Sequence, residues 1–155
     1  MATEKWISGG TSSWTDAFGS ELASIANGNA ILSSVALDNT SNNDVFLALA
    51  VLIASVTTGS GVPYLGLWLY ELHEDGSTYG DGKFSSSAAG PPQAGINLWN
   101  ALAPASTTAA FKETRSGLIL PRNSKFKLVA YNQLGATLAA SGNHVYYQTY
   151  DRQVS

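Results

Sequence analysis

Cysteine is absent from all 155 residues, which excludes disulfides, thiolate metal sites and a cysteine nucleophile. Charge is scarce as well. Asp, Glu, Lys and Arg make up 12% of the chain, against about 25% in a typical soluble domain. With eight Lys and Arg and a net charge of -3, there is no basic stripe to neutralise phosphates, and nucleic acid is not expected as a partner. The longest mainly apolar run, Val45 to Val56, covers twelve residues and falls short of the roughly 20 that a membrane-spanning helix needs. No membrane association is expected. Met1 to Gly10 carries Lys5 with no apolar stretch behind it, so no secretory leader is expected either.

What is there is apolar or neutral. Hydrophobic residues reach 45%, and Ser, Thr, Asn and Gly must cover the surface that charge would otherwise cover. A surface of that kind suits lasting protein contacts, because charged residues are depleted at interface cores. At 16.2 kDa the chain is the size of one domain and buries about 68% of its unfolded surface without needing a staple.

Two textures follow along the chain. Ser13-Trp14-Thr15-Asp16 resembles a helix start, with Ser13 as N-cap and Asp16 near the positive helix end. Phe18, Leu22 and Ile25 fall at i, i+4 and i+7 before Asn27-Gly28 supplies a left-handed stop. The spacing predicts a short helix over Thr15 to Ala26, with an irregular extended arm as the alternative. From Ala30 onward the texture is that of strands: Ala30 to Leu37, Val45 to Val56, Tyr64 to His73, Gly95 to Ala103, Phe111 to Leu120, Lys125 to Tyr131, Ala136 to Ala140 and His144 to Asp151. Turn clusters separate them, among them Asp38 to Asn43, Gly59-Ser60-Gly61 and Ser141-Gly142-Asn143. The β-branched content of Val45 to Val56 marks a central strand buried on both faces. In Tyr64 to His73, Tyr64, Trp68 and Tyr70 share one face while Leu65, Leu67 and Leu69 share the other. Glu74 to Gln93 reads as a long loop. Seven or eight short strands predict an all-β, jelly-roll-like sandwich, with residues 1–29 as an arm or short helix and residues 30–155 as the β-sandwich domain.

The opening WISGGTSSWTDAFGSELASIANGNAILSS and the closing LILPRNSKFKLVAYNQLGATLAASGNHVYYQTYDRQ resemble small virion proteins of tailed bacteriophages. The nearest functional group is the jelly-roll cement or decoration proteins of phage capsids. The resemblance implies binding to the outside of a head shell, with the major capsid protein and further copies of the chain (dimer or trimer) as partners. It also implies a place on the capsid surface of the virion after assembly in the host bacterial cytoplasm, and no chemistry.

Tempting chemical features have simpler explanations. His73 and His144 lack a second ligand at a metal-binding spacing. Glu71, Glu74, Asp75 and Asp81 form the one acidic cluster but lack the alternating register of a calcium loop, and Asp75-Gly76 and Asp81-Gly82 are ordinary turn dipeptides. No G-x-S-x-G elbow, P-loop or dinucleotide fingerprint occurs. No enzyme activity, metal or cofactor is expected.

Three groups of residues are candidates for an interface. The first is Trp6, Trp14, Phe18 and Leu22, which with Ile25 are too apolar for a solvated tail and are expected to dock on a neighbour or on the shell. The second is Arg122, Lys125 and Lys127, either a positive stripe facing an acidic capsid surface or a lysine-guarded sheet edge. The third is Tyr146 and Tyr150, on one face of the last strand with Gln148, opposite Tyr147 and Thr149. The alternative function is a carbohydrate-binding module of a phage tail fibre or spike, with Trp99 beside Asn97 and Asn100 as its sugar site.

Overall fold

The computed structural model describes residues 4–8, 13–41, 44–74, 76–79 and 88–154, and of residues 4–8 and 152–154 the backbone alone. Among the described residues, ten strands run in the order β1 (Glu4–Ser8), β2 (Thr15–Asp16), β3 (Asn29–Asp38), β4 (Phe46–Thr57), β5 (Tyr64–Glu71), β6 (Ala88–Ala89), β7 (Ile96–Leu102), β8 (Thr108–Ile119), β9 (Lys125–Gln133) and β10 (His144–Val154). All pairings are antiparallel. One sheet, here sheet A, has the order β1-β10-β4-β8, with β2 also pairing β10. Sheet B has the order β6-β3-β9-β5-β7.

The pairing shows how the chain reaches this form. β5 pairs β7, β4 pairs β8, β3 pairs β9 and β2 pairs β10. The chain is therefore one long antiparallel ribbon that doubles back between β5 and β7 and is then rolled up, so that successive rungs fall alternately in sheets A and B. That connectivity is the jelly roll, as the sequence predicts.

Period-two patterning decides which face each strand buries. On β4, Leu47, Leu49, Val51 and Ile53 are fully buried between the sheets. Their outward neighbours Phe46, Ala50 and Leu52 are half-buried, so this strand is central but not covered equally on both faces. On β5, Leu65, Leu67 and Leu69 enter the core with Phe126, Leu128 and Ala130 of β9. Tyr64, Trp68 and Tyr70 point the other way, into a second, smaller cluster with Val129 and Tyr131 on the outside of sheet B.

Three expectations need correction. Residues 15–26 are not a helix: β2 is followed by turns. Glu21 N–H donates to Phe18 O at 3.0 Å and Ala23 N–H to Ser20 O at 3.0 Å. Positive φ at Gly19 (55°) and Ser24 (57°) breaks any continuous helix between them. The boundary at residues 29/30 falls inside one core, because Ala17, Phe18, Leu22 and Ile25 belong to the same buried cluster as the strand residues. Ala136 to Ala140 is not a strand. This stretch instead closes the sandwich against residues 24–25, with Leu138 N–H donating to Ile25 O at 3.0 Å and Ser24 N–H to Ala139 O at 3.2 Å. Gly135 opens it with φ of 104°, and a Cβ there would stand 2.4 Å from Gly59 N, so this crossing of two loops requires glycine. The loop between β5 and β7 is only partly described. Its Asp75 and residues 80–87, including Asp81 and Gly82, lie outside the described residues.

Buried asparagines hold the loops to the sheets. Asn132, fully buried, donates through Nδ2 to Ile25 O and Ala136 O, both at 2.9 Å, and accepts from Leu134 N–H at 3.0 Å. Asn39 accepts from Asp44 N–H at 2.7 Å and donates to Asp44 O and Pro121 O. Buried polar side chains are tolerated when so satisfied, and here they fix irregular backbone that no ladder bonds.

Candidate functional site

The outer face of sheet A is built from alternate residues of three neighbouring strands. His144, Tyr146, Gln148 and Tyr150 of β10 stand opposite Leu52, Ala50, Ala48 and Phe46 of β4. Those residues in turn face Lys112, Thr114 and Ile119 of β8. Tyr150 stacks on Phe46 with centroids 5.6 Å apart and planes 21° apart. Its hydroxyl accepts from Gly117 N–H at 2.7 Å, which ties down the β8 bulge opposite Ala48. His144 stacks on Tyr146 at 5.4 Å, and its Nδ1 lies 2.7 Å from Asp16 Oδ2, joining β10 to β2. Trp14, 44% exposed, and Ile119, 72% exposed, extend the apolar surface. A groove of about 420 Å³ runs between Trp14, Tyr146, Ala50, Leu52, Thr114 and Lys112. At these positions charge is confined to Lys112 and the His144–Asp16 pair.

The residues expected at an interface divide as follows. Trp14, Tyr146 and Tyr150 come together on the outside of sheet A, while Tyr147 is turned into the core, 6% exposed. Phe18 and Leu22 are corrected: both are fully buried inside this chain's own core and have no surface to offer a neighbour. Trp6 lies in β1, and its side chain lies outside the described part. Arg122 is exposed in the turn between β8 and β9.

Lys125 and Lys127 do share a face, the outer face of sheet B, but the edge-guard reading of them does not hold. β9 is the middle strand of its sheet and guards no edge. Both lysines are also engaged: Lys125 Nζ lies 2.9 Å from Asp38 Oδ2, and Lys127 Nζ stands 5.2 Å from the centroid of the Tyr79 ring. Among the edge strands, β8 carries Lys112 and Arg115.

The Asp38 carboxyl is held down to about 2, first by the Thr40 hydroxyl, then by Lys125 and the Thr40 backbone N–H. Asp38 in turn raises the Lys125 ammonium. With its folded value below the unfolded one, Asp38 contributes stability above pH 3.8 that is lost as pH falls toward 2. The pair is about half exposed, so its contribution is small. Carboxyl titration by NMR is expected to place Asp38 near 2, and Thr40→Val to move it up toward 3.8. An unmoved midpoint in that variant would contradict the assignment.

Among the described residues, no three His, Asp or Glu side chains cluster as a metal site. Glu71 accepts from the Ser124 hydroxyl, and Gly76 N–H donates to His73 O at 3.0 Å in a tight turn with φ of 71° at Gly76. An open cleft of about 660 Å³ lies beside Glu71, His73, Glu74 and Ile96.

Two arrangements escaped the sequence reading. Asp16, 128 residues before its histidine, has no local signal that could have paired them. The other concerns Trp99, which is 5% exposed and packs in the core, so it cannot be a sugar platform. Asn97 and Asn100 stand instead beside Trp68 and Gly66 of β5.

The fold and this surface define an all-β jelly-roll domain with a weakly charged, aromatic outer sheet. The chain matches no protein-family model and shows no significant similarity to a curated protein.

Proposed function

We propose that the protein is a non-enzymatic structural component of a bacteriophage virion, cementing or decorating the capsid through protein contacts, with the major capsid protein and its own copies as partners. The observation that carries this reading is the outer face of sheet A. Phe46, Ala50, Leu52, Tyr146, Tyr150, Trp14 and Ile119 form a contiguous surface in which charge is nearly absent, the composition of an interface core rather than of a solvated sheet. Aromatic residues on rigid strands lose little side-chain entropy on docking. The opening and closing segments that resemble phage virion proteins support the same reading.

A charge placed on this face tests it. Tyr146→Asp and Ile119→Asp are both half-exposed or exposed positions, so the sandwich is expected to fold as before. Incorporation into particles, measured by gel densitometry of purified virions grown from complemented mutants, is expected to fall at least about tenfold, the equivalent of 1.4 kcal/mol or more. Folded variants that incorporate at the normal copy number would overturn the assignment of this face.

A further inference from the structure

The outer face of sheet B holds a different kind of surface, in three adjoining cross-strand rows. Asn97, Trp68 and Val129 make one row, Asn100, Gly66 and Tyr131 the next, and Leu102, Tyr64 and Gln133 the third; Val129 and Tyr131 are buried, so the open part lies on β5 and β7. No Asp, Glu, Lys or Arg stands in these rows.

Gly66 is what gives them their shape. A Cβ built there would stand 2.3 Å from Cζ3 and 2.6 Å from Cη2 of Trp68. The outer rim of the indole's six-membered ring thus rests against the backbone of its own strand at Gly66, where any side chain would push it away. Trp68 remains half-buried rather than enclosed. Tyr131 stands beside it almost upright, with planes 79° apart and centroids 6.1 Å apart. Tyr64 follows at 6.3 Å from Tyr131. The Tyr131 hydroxyl donates to Gln133 Oε1 at 2.8 Å, which holds the ring in place. On the opposite flank, Asn97 and Asn100 are both exposed. Their one contact with each other is long, Asn97 Nδ2 to Asn100 Oδ1 at 3.4 Å, so most of their hydrogen-bonding capacity is available.

The geometry points to a binding site for a neutral saccharide, one pyranose ring lying on Trp68. A pyranose has an apolar face of axial C–H groups and a rim of hydroxyls. The C–H face complements the electron-rich face of a flat indole, as other weakly positive groups do. The rim needs paired donors and acceptors close to the platform, and each Asn amide offers both. Within the three rows a neutral sugar meets no charged side chain; Lys127, opposite Tyr70 in the row beyond, is engaged over the Tyr79 ring. A protein partner fits less well, since the open part spans a few residues of β5 and β7 where a stable protein interface needs roughly 800 Å² per partner. The inference does not depend on the virion reading: this face is on the sheet opposite the proposed docking surface, so one sheet can hold the particle while the other faces outward.

The test uses the full chain labelled with ¹⁵N and titrated with chitohexaose, cellohexaose, maltohexaose and laminarihexaose to about 10 mM, a range that detects dissociation constants of the order of millimolar, together with an array of neutral bacterial glycans. At least one probe is expected to shift the Trp68 indole N–H and the Asn97 and Asn100 amides in a saturable way. Trp68→Ala is expected to weaken binding at least tenfold. Because Trp68 also packs on Tyr131, the double variant Asn97→Ala/Asn100→Ala serves as a second probe with no packing to lose, and a loss of several-fold is expected there. Tyr146→Asp on the other sheet is expected to bind the sugar as the wild type does. Absence of shifts with every probe, or binding held within twofold in the folded Asn97→Ala/Asn100→Ala protein, overturns the proposal. Either result would leave the virion assignment standing, since that assignment is read from particle incorporation.

Discussion

Deleting residues 1–29 is expected to leave a chain with no native sandwich, seen as loss of the β-type circular dichroism spectrum and of a cooperative urea transition. The deletion removes β2 from the edge of β10 and takes away Phe18, Leu22 and Ile25, which are at most 4% exposed. At about 1.5 to 3 kcal/mol for each fully buried side chain, these three alone are worth roughly 5 to 9 kcal/mol. The whole stability of such a domain is about 5 to 15 kcal/mol, so the loss is comparable with everything available. It also strips the cover from Leu134 and Leu138 in the same cluster. The single substitutions Phe18→Ala and Leu22→Ala are expected to cost about 3 to 5 and 2 to 5 kcal/mol, measured from urea midpoints. If the truncated chain kept a native spectrum and a cooperative transition, residues 17–25 would be a docking arm after all, and their burial in this core would lose its meaning.

The second large effect is expected at a position that makes no hydrophobic contact of note. Asn132→Asp changes one atom type, yet the two hydrogen bonds donated to Ile25 O and Ala136 O become contacts between a buried carboxylate and two carbonyl oxygens. A buried charge left without a partner costs about 3 to 5 kcal/mol. In a domain near 150 residues that is a fall in Tm of roughly 6 to 20 °C. The pH dependence separates this cause from simple loss of packing. Burial and the two carbonyls raise the folded pKa of the introduced carboxyl above its unfolded value, so the penalty is absent below the unfolded pKa, near 4, and grows as pH rises through it. The variant is therefore expected to recover toward wild type as pH is lowered to about 4, whereas Asn132→Ala stays equally destabilised at both pH values. A variant equally destabilised at both would show that position 132 does not sense charge.

These two effects come from segments where sequence and structure part company. The strands with plain alternation were legible. Leu65, Leu67 and Leu69 are in and Tyr64, Trp68 and Tyr70 are out, and Tyr147 is in while Tyr146 and Tyr150 are out, because a period of two leaves one choice once a core exists. The same rule fails at β7. A register shift between its pairing with Leu67 and with Trp68 lets neighbouring residues Leu98 and Trp99 both reach the core, and Trp99 changes places with the side of the sheet expected for it. A bulge has no reliable signature in seven residues. The stripe of Phe18, Leu22 and Ile25 suggests a helix that docks on a neighbour, whereas its residues sit in turns and fill this chain's own core. Turns with positive φ at Gly19 and Ser24 carry those side chains inward equally well, and tertiary burial overrides a weak local preference.

Composition and periodicity by themselves determined that this chain is an all-β sandwich free of thiol chemistry, with little charge to cover it, because those properties are sums over residues or repeats along one strand. The tertiary structure decided which surfaces exist. It set Tyr146 and Tyr150 beside Phe46 and Trp14, laid Trp68 on Gly66 next to Asn100, joined Asp16 to His144, and withdrew Phe18, Leu22 and Trp99 from any role outside. Each of these depends on strands distant in the chain being rolled into neighbours, and on bulges that fix the register between them. Interactions of that range leave no mark on the local order of residues, so they become visible only once the ribbon is closed.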